Sequence, residues 1–241
     1  MYKPSIKTYI TYFDDRQVDE YNLKASDDVV LFKGNDTSYS GETINYLNTY
    51  YCELCTLYYV WKNNLKSDYV VFKQYRRSFD WKSVKRLPDN GEVICYYPIW
   101  MHESVIMQYA ICHGRKRATD LMELLGEMYG KKSDCYGYFK NSSMLYTNNT
   151  MVLKWSDFCS MCEFVFGMLD EIDDFYGLSY DAEKYADNAY KYTEDNRYDY
   201  QTHWMAYIGE RLVSCYIATK MKGIYVNRPE GNGFYKPYER K

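Results

Sequence analysis

The chain has 241 residues, of which 46% are hydrophobic and 26% are charged, a balance typical of globular proteins with a buried core. Its net charge of −3 gives no overall basic field, so nucleic acid is not an expected partner. The sequence shows no signal-peptide pattern and no apolar run of the roughly 18 residues that a membrane span needs. We therefore expect one cytoplasmic domain over residues 1–241.

Strand and helix patterns alternate in the first part of the chain. β-Branched and aromatic residues predict strands at residues 6–13 and 29–32. Apolar residues at three- and four-residue spacing predict a single helix over residues 43–63. Residues 68–72 are predicted to form a central strand that leads directly into a basic segment.

The rest of the chain continues the alternation. The predicted elements are strands at 92–97, 150–153 and 224–226, helices at 104–112, 118–129, 156–176 and 204–221, a helix and loop within 181–200, and an irregular tail over 227–241. This order predicts an α/β sheet with helices on both faces. Such sheets bind ligands at the carboxyl ends of their strands, which directs attention to the residues after Phe13 and Phe72.

The eight cysteines include two pairs with CxxC spacing, Cys52 with Cys55 and Cys159 with Cys162. Four thiolates in this spacing suit a zinc site. Both pairs, however, fall inside predicted helices, where residues three apart share one apolar face. We therefore favour buried free thiols over a zinc site.

A short basic segment follows the central strand. Lys73, Arg76 and Arg77 lie within five residues. Guanidinium groups bind phosphate through paired hydrogen bonds and lysine binds it as a point charge, so the segment is suited to a departing diphosphate. A solvated basic turn remains the alternative interpretation.

Two further positions are candidates for chemistry. Glu210, predicted to lie near a helix start, has the chemistry of a general base for an acceptor hydroxyl, although an ion pair with Arg211 or a helix-dipole contact is the alternative. His113 stands beside Arg115 to Arg117, which would suit a phosphate or an acidic acceptor. The sequence contains no glycine-rich phosphate loop, and no Asp-x-Asp follows the central strand.

Four stretches together resemble a bacterial family from capsule and O-antigen loci, identified as capsular polysaccharide synthesis proteins or as an uncharacterised glycosyltransferase-like domain. Residues 50–63 resemble its YYCELTxLYWIWKN motif, and residues 68–79 resemble DYVGLCHYRRYF. Residues 146–154 are similar to its CNMFIMKK strand, and residues 208–212 to FLAERL. The order and spacing of these motifs agree over nearly the whole chain.

The resemblance implies a GT-A-like fold and transfer of a sugar, galactofuranose or another hexose, from a UDP-sugar with inversion. It also implies a surface polysaccharide or lipid-linked glycan acceptor, with peripheral association at the inner face of the membrane. Because the region after the central strand is basic, we expect no metal or other cofactor. The candidate residues are Glu210 as the base, Lys73, Arg76 and Arg77 for the diphosphate, and Thr11, Tyr12, Gln74, Tyr75, His113, Asn148 and Asn149 for the nucleoside and sugar.

The chain departs from the family motif at one place. Lys73 and Gln74 stand where the family has Cys-His before Tyr-Arg-Arg. A glutamine cannot titrate, so an acid–base role of that histidine is absent here. This departure leaves a second interpretation open, a non-catalytic subunit that binds a glycan or a nucleotide sugar.

Overall fold

The structure of the protein, a computed structural model, describes residues 3–191 and 201–227. The strands are β1 (Ile6–Tyr12), β2 (Val29–Lys33), β3 (Tyr69–Gln74), β4 (Glu92–Tyr96), β5 (Ile99–Trp100), β6 (Met144–Leu145), β7 (Met151–Lys154) and β8 (Gly223–Asn227). The α-helices are α1 (Asp15–Glu20), α2 (Asn48–Tyr51), α3 (Leu54–Lys62), α4 (Val105–His113), α5 (Arg115–Tyr129), α6 (Asp134–Asn141), α7 (Trp155–Tyr176), α8 (Ala182–Lys191) and α9 (Trp204–Lys220).

Six strands form one mixed sheet in the order β2-β1-β3-β7-β4-β8. β1 pairs in parallel with β2 and β3, and β4 pairs in parallel with β8, whereas β7 runs antiparallel to both β3 and β4. Strands β5 and β6 form a separate two-stranded sheet. The carboxyl ends of β1, β3 and β4 therefore meet the start of β7 at the same edge of the large sheet.

Alternating side chains divide the sheet into two faces. On β3, Val70 and Phe72 belong to the main core beneath the helices, while Val71 belongs to a small cluster on the opposite face. Phe79 and Val84 cover that small cluster. They come from the segment between β3 and β4, where a short 3-10 turn forms, rather than from a helix of the kind that the alternating pattern predicts.

The α/β class is confirmed, but several element boundaries differ from the predictions. The helix predicted over 43–63 is interrupted at Cys52, whose φ of 46° breaks the α-helical path between α2 and α3. Strand β3 continues to Gln74, so Lys73 and Gln74 are strand residues. Helices α1 and α6 and the β5–β6 pair were not predicted. The loop predicted within 181–200 falls at 192–200, and the tail beyond Asn227 at 228–241, both outside the described residues.

All eight cysteines are free thiols. Cys52 lies at the interruption between two helices, so the prediction that both CxxC pairs share a helix face is wrong for the first pair. Cys159 and Cys162 do lie together on α7. Among the described residues, no cluster of three or more His, Cys, Asp or Glu side chains is placed to hold a metal ion.

Candidate active site

Two carboxylates and two arginines converge at the edge of the sheet where β3 ends and β7 begins. Gln74 is the last residue of β3, and Asn148 lies shortly before β7. Because β3 and β7 are neighbouring strands, these residues lie side by side. Glu53, just before α3, bonds to Gln74, and Glu210, on α9, bonds to Asn148. The site is thus built over one pair of strands.

The carboxylate of Glu210 is held by the backbone of the loop before β7. Its Oε1 atom accepts a hydrogen bond of 2.5 Å from the backbone N–H of Asn148. Asn148 has a φ of 66°, a left-handed conformation that asparagine tolerates better than most residues. Glu210 lies in the second turn of α9, so the prediction that it lies near a helix start is wrong.

Burial is the main influence on the Glu210 carboxyl and raises its pKa above the ordinary value of 4.5. The Asn148 N–H and the charges of Arg211 and Arg77 lower the pKa, whereas the charge of Glu53 raises it. The net result is a carboxyl whose pKa is shifted upward while the residue remains partly accessible to solvent. A shift in this direction makes a carboxylate a stronger base at neutral pH.

A glycine allows α9 to approach α3 closely enough to place Glu210. A Cβ atom on Gly209 would lie 2.2 Å from Cδ1 of Leu54, a separation that packed carbon atoms do not allow. Leu54 is fully buried at the start of α3. The residue before Glu210 therefore sets how near α9 comes to the start of α3, beside Glu53.

Glu53, Gln74 and Arg76 form a continuous polar chain. The Gln74 side-chain amide donates a short hydrogen bond to Glu53 Oε1, and Arg76 Nε donates to Gln74 Oε1 at 2.6 Å. An uncharged amide can donate to the carboxylate and accept from the guanidinium at the same time. Gln74, at the position of the family's histidine, therefore links the carboxylate of Glu53 to the guanidinium of Arg76.

Arg77 reaches the neighbouring strand. Its Nη2 donates to the side-chain Oδ1 of Asn148 at 3.1 Å, and its guanidinium lies 5.5 Å from the ring centre of Tyr96, at the end of β4. Arg76 is exposed and Arg77 is partly buried. The structure thus brings together Glu210, Arg76, Arg77, Gln74 and Asn148 from the sequence prediction.

Lys73 does not join this group. It alternates with Gln74 along β3 and lines a cavity with Thr8 and Ile10 on the opposite face of the sheet. Adjacent residues of a strand lie on opposite faces of the sheet. Because the predicted strand ended at Phe72, this alternation was not expected to apply to Lys73 and Gln74. A shared role with Arg76 and Arg77 remains a prediction that this placement does not favour.

The remaining predicted residues are dispersed. Thr11 is buried on the core side, where its hydroxyl lies 2.7 Å from that of Thr56. Tyr12 lies on the other face of β1; burial raises its pKa, and the nearby charge of Asp15 adds to the shift. Tyr75 packs edge-on against Tyr21, with ring centres 5.1 Å apart. Thr11 and Tyr12, which are adjacent on β1, therefore face opposite sides of the sheet.

Asn149 and His113 contribute differently. Asn149 is buried and left-handed, with a φ of 45°, so it shapes the loop that presents Asn148. His113 is buried at the end of α4, and its ring centre lies 4.3 Å from that of Tyr207 and 4.8 Å from that of Tyr109. These two ring contacts place His113 in an aromatic cluster.

Glu53 is a site residue that was not among the predicted ones, and His203 lies beside its neighbour Cys52. Glu53 lies within the motif at residues 50–63, and this membership was the available signal. His203 lies with Nδ1 3.4 Å from the sulfur of Cys52. Burial and then the charge of Glu53 raise the pKa of the Cys52 thiol well above its ordinary range, so the thiol is protonated and unsuited to act as a nucleophile.

Residues 22–221 match a family described as a domain of unknown function, DUF4422. The chain belongs to the DUF4422 family. Its fold is similar to that of the WbbM bifunctional glycosyltransferase in its apo structure, with a TM-score of 0.65 and 18% sequence identity. The likeness covers 97% of this chain and 47% of that protein, so this DUF4422 chain spans about half the length of its structural relative.

No curated protein matches this DUF4422 chain in sequence. At 18% identity, the structural likeness shows a shared glycosyltransferase-like fold. Over the described parts of the chain, none of the helices has both the length and the apolar character needed to cross a bilayer.

Proposed function

We propose that this DUF4422 chain is a glycosyltransferase whose reaction takes place between Glu53 and Glu210. The observation that carries the proposal is the Glu210 carboxyl, whose pKa burial raises, at the same edge of a glycosyltransferase-like fold as Arg76 and Arg77. Ligands of α/β sheets bind at this kind of edge. A base and a cationic site for a leaving group are the two requirements of direct displacement at a sugar carbon.

In the proposed reaction, Glu210 takes the proton of an acceptor hydroxyl. The acceptor oxygen forms a bond to C1 of the donor sugar, while the bond between C1 and the diphosphate oxygen breaks and its electron pair leaves with UDP. Attack opposite to the leaving group inverts the configuration at C1. The Asn148 N–H, bonded to Oε1 at 2.5 Å, fixes the carboxylate in position.

Arg76 and Arg77 are proposed to bind the diphosphate. Their guanidinium groups are tied to the two sides of the site, Arg76 through Gln74 and Arg77 through Asn148. Two fixed guanidinium groups would neutralise the charge that develops on UDP. We therefore propose a transfer that needs no metal ion, with the arginines supplying the positive charge.

Glu53 is proposed to hold the donor sugar. Its Oε1 atom accepts the hydrogen bond from Gln74, and a carboxylate has lone pairs for further donors, which suits sugar hydroxyl groups. The proposed donor is UDP-galactofuranose or another UDP-hexose, and the proposed acceptor is a surface polysaccharide or a lipid-linked glycan at the inner face of the membrane. Asn148 and the arginines would complete the sugar and diphosphate subsites.

Gln74 supports a second candidate, a non-catalytic subunit that binds a glycan or nucleotide sugar. This residue replaces the histidine of the resembling family, and its amide is already engaged with Glu53 and Arg76. In that case the site would bind a glycan, or bind a nucleotide sugar without breaking it.

A panel of nucleotide sugars separates the two candidates. Ligands that bind only the folded protein raise its melting temperature, so thermal shift identifies the donor, and release of UDP or of transferred sugar then measures turnover. Stabilisation by a UDP-sugar followed by its turnover supports the transferase. Stabilisation without turnover for every donor, with lipid-linked acceptors present, supports the binding subunit, and no stabilisation contradicts both.

A further inference from the structure

A cavity lies on the face of the sheet opposite the proposed active site. Its volume is about 330 Å³. The floor is formed by side chains of β1 and β3, including Ile10, Val71 and Lys73, and the walls come from the segments around Tyr21 and Trp81. The sheet itself separates this cavity from Glu210 and Gln74, so it is a distinct space.

The charged side chains that line the cavity itself are basic, and the carboxylate of Glu20 lies outside the lining but close enough that it adds to the effect of burial in raising the pKa of Tyr21. The lining contains Lys73 and Lys24 but no aspartate or glutamate. Burial lowers the pKa of the Lys73 ammonium, and no carboxylate offsets that effect. Among the residues that the structure describes, none forms an ion pair with Lys73. A partly desolvated ammonium without a counter-ion is unfavourable until an anion enters.

The walls of the cavity are aromatic and fixed. Trp81 and Phe79 lie with ring centres 5.0 Å apart, and 43% of the surface of Trp81 is exposed to solvent. Asn227, at the end of β8, holds this segment by accepting from the backbone N–H of Asp80 at 2.9 Å and donating to its carbonyl at 2.8 Å. Tyr21 closes the other side. Flat rings with polar neighbours are suited to the face of a sugar.

We propose that this cavity binds a small phosphorylated molecule, with Lys73 and Lys24 holding the phosphate and Tyr21 and Trp81 contacting its organic part. The volume is at the low end of the roughly 300–1,000 Å³ of ligand sites, so it suits a hexose phosphate better than a complete nucleotide sugar. Ser78 and Asn22 also line the cavity and supply neutral donors. The site is independent of the proposed transfer reaction.

Calorimetric titration with hexose 1-phosphate and with inorganic phosphate tests the proposal on the full chain. Both should bind while UDP is present at saturation. Lys73→Met should lower the affinity for both ligands by about tenfold or more, because a charge-assisted contact is lost. Lys132→Met, which removes an exposed lysine outside the cavity, should leave both affinities unchanged, and UDP should bind Lys73→Met as it binds the wild type.

Trp81→Ala distinguishes the two phosphate sources and does not depend on the stability of the Lys73 variant, since Trp81 is exposed. It should lower the affinity for hexose 1-phosphate by several-fold and leave the affinity for inorganic phosphate unchanged. Equal affinities in wild type, Lys73→Met and Trp81→Ala would overturn the proposal. Displacement of hexose 1-phosphate by UDP would also overturn it, because the molecule would then occupy the active site.

Discussion

The backbone N–H of Asn148 donates a 2.5 Å hydrogen bond to the carboxylate of Glu210, and this contact joins the helix α9 to the edge of the sheet. The two residues are far apart in the chain, and each owes its position to an unusual neighbour. Gly209 lets α9 approach Leu54, and the left-handed backbone of Asn148 and Asn149 turns the loop toward the helix.

Replacement of the proposed base should remove catalysis and retain binding. We expect Glu210→Gln to lower turnover by about 10²- to 10⁴-fold, the usual contribution of general-base catalysis, since the amide cannot accept the proton. UDP-sugar affinity should change by less than about twofold, because the amide oxygen can still accept from Asn148. Steady-state rates together with donor titration measure both quantities.

Glu163→Gln, on an exposed part of α7, is the matched control and should behave as wild type. Undiminished turnover in Glu210→Gln would show that another group takes the proton.

The stability of the protein should depend on pH through Glu210. Because burial raises the pKa of this carboxyl in the folded state, the folded chain binds the proton more tightly than the unfolded chain, and the resulting stability is lost as pH rises through the folded pKa. We therefore expect Glu210→Gln to melt above the wild type at neutral and alkaline pH. The difference should shrink toward zero below the ordinary carboxyl value of 4.5.

Thermal unfolding across this pH range provides the measurement, with Glu163→Gln giving a flat difference. A difference in melting temperature between Glu210→Gln and wild type that widens as pH falls would contradict the raised pKa of the Glu210 carboxyl.

Loss of a diphosphate ligand should weaken UDP binding. Arg76→Ala should reduce UDP affinity by roughly ten- to a hundredfold, corresponding to a lost hydrogen bond to a charged group. Arg115→Ala, at an exposed residue of α5, is the control for general loss of positive charge. If calorimetry gives the same UDP affinity for both variants, Arg76 does not contact the diphosphate.

Removal of divalent cations should leave the reaction unchanged. In the proposed site, guanidinium groups rather than a metal ion neutralise the departing UDP. We expect turnover after EDTA treatment to remain within about twofold of the untreated rate. A loss of activity in EDTA that manganese or magnesium restores would show that a cation takes part.

Two glycine substitutions should have opposite effects on stability. Gly209→Ala places a Cβ 2.2 Å from Leu54 and should destabilise the fold by about 1–3 kcal/mol, as overpacking does. Gly167→Ala, within α7 and with open space around its Cβ, should stabilise it by about 0.5–1 kcal/mol. Denaturant unfolding measures both, and equal effects would contradict the close α3–α9 contact.

The sequence was sufficient for the six strands of the large sheet, for the longer helices and for several site residues, because hydrophobic periodicity and family motifs are local features. It was insufficient where tertiary packing decided. The break at Cys52 depends on a backbone angle that the apolar pattern over 43–63 does not reveal. Lys73 is separated from Arg76 because β3 continues for two residues beyond its predicted end, so Lys73 and Gln74 lie on opposite faces of the sheet. Glu53 belongs to the site through its contact with Gln74, which is distant in sequence.

A crystal structure of the complex with UDP would show whether the arginines bind the diphosphate. We expect the diphosphate within hydrogen-bonding distance of the Arg76 and Arg77 guanidinium groups, with Glu210 across the sugar position from the β-phosphate. A diphosphate bound elsewhere, or held through a metal ion by Glu53 and Glu210, would contradict the proposed site.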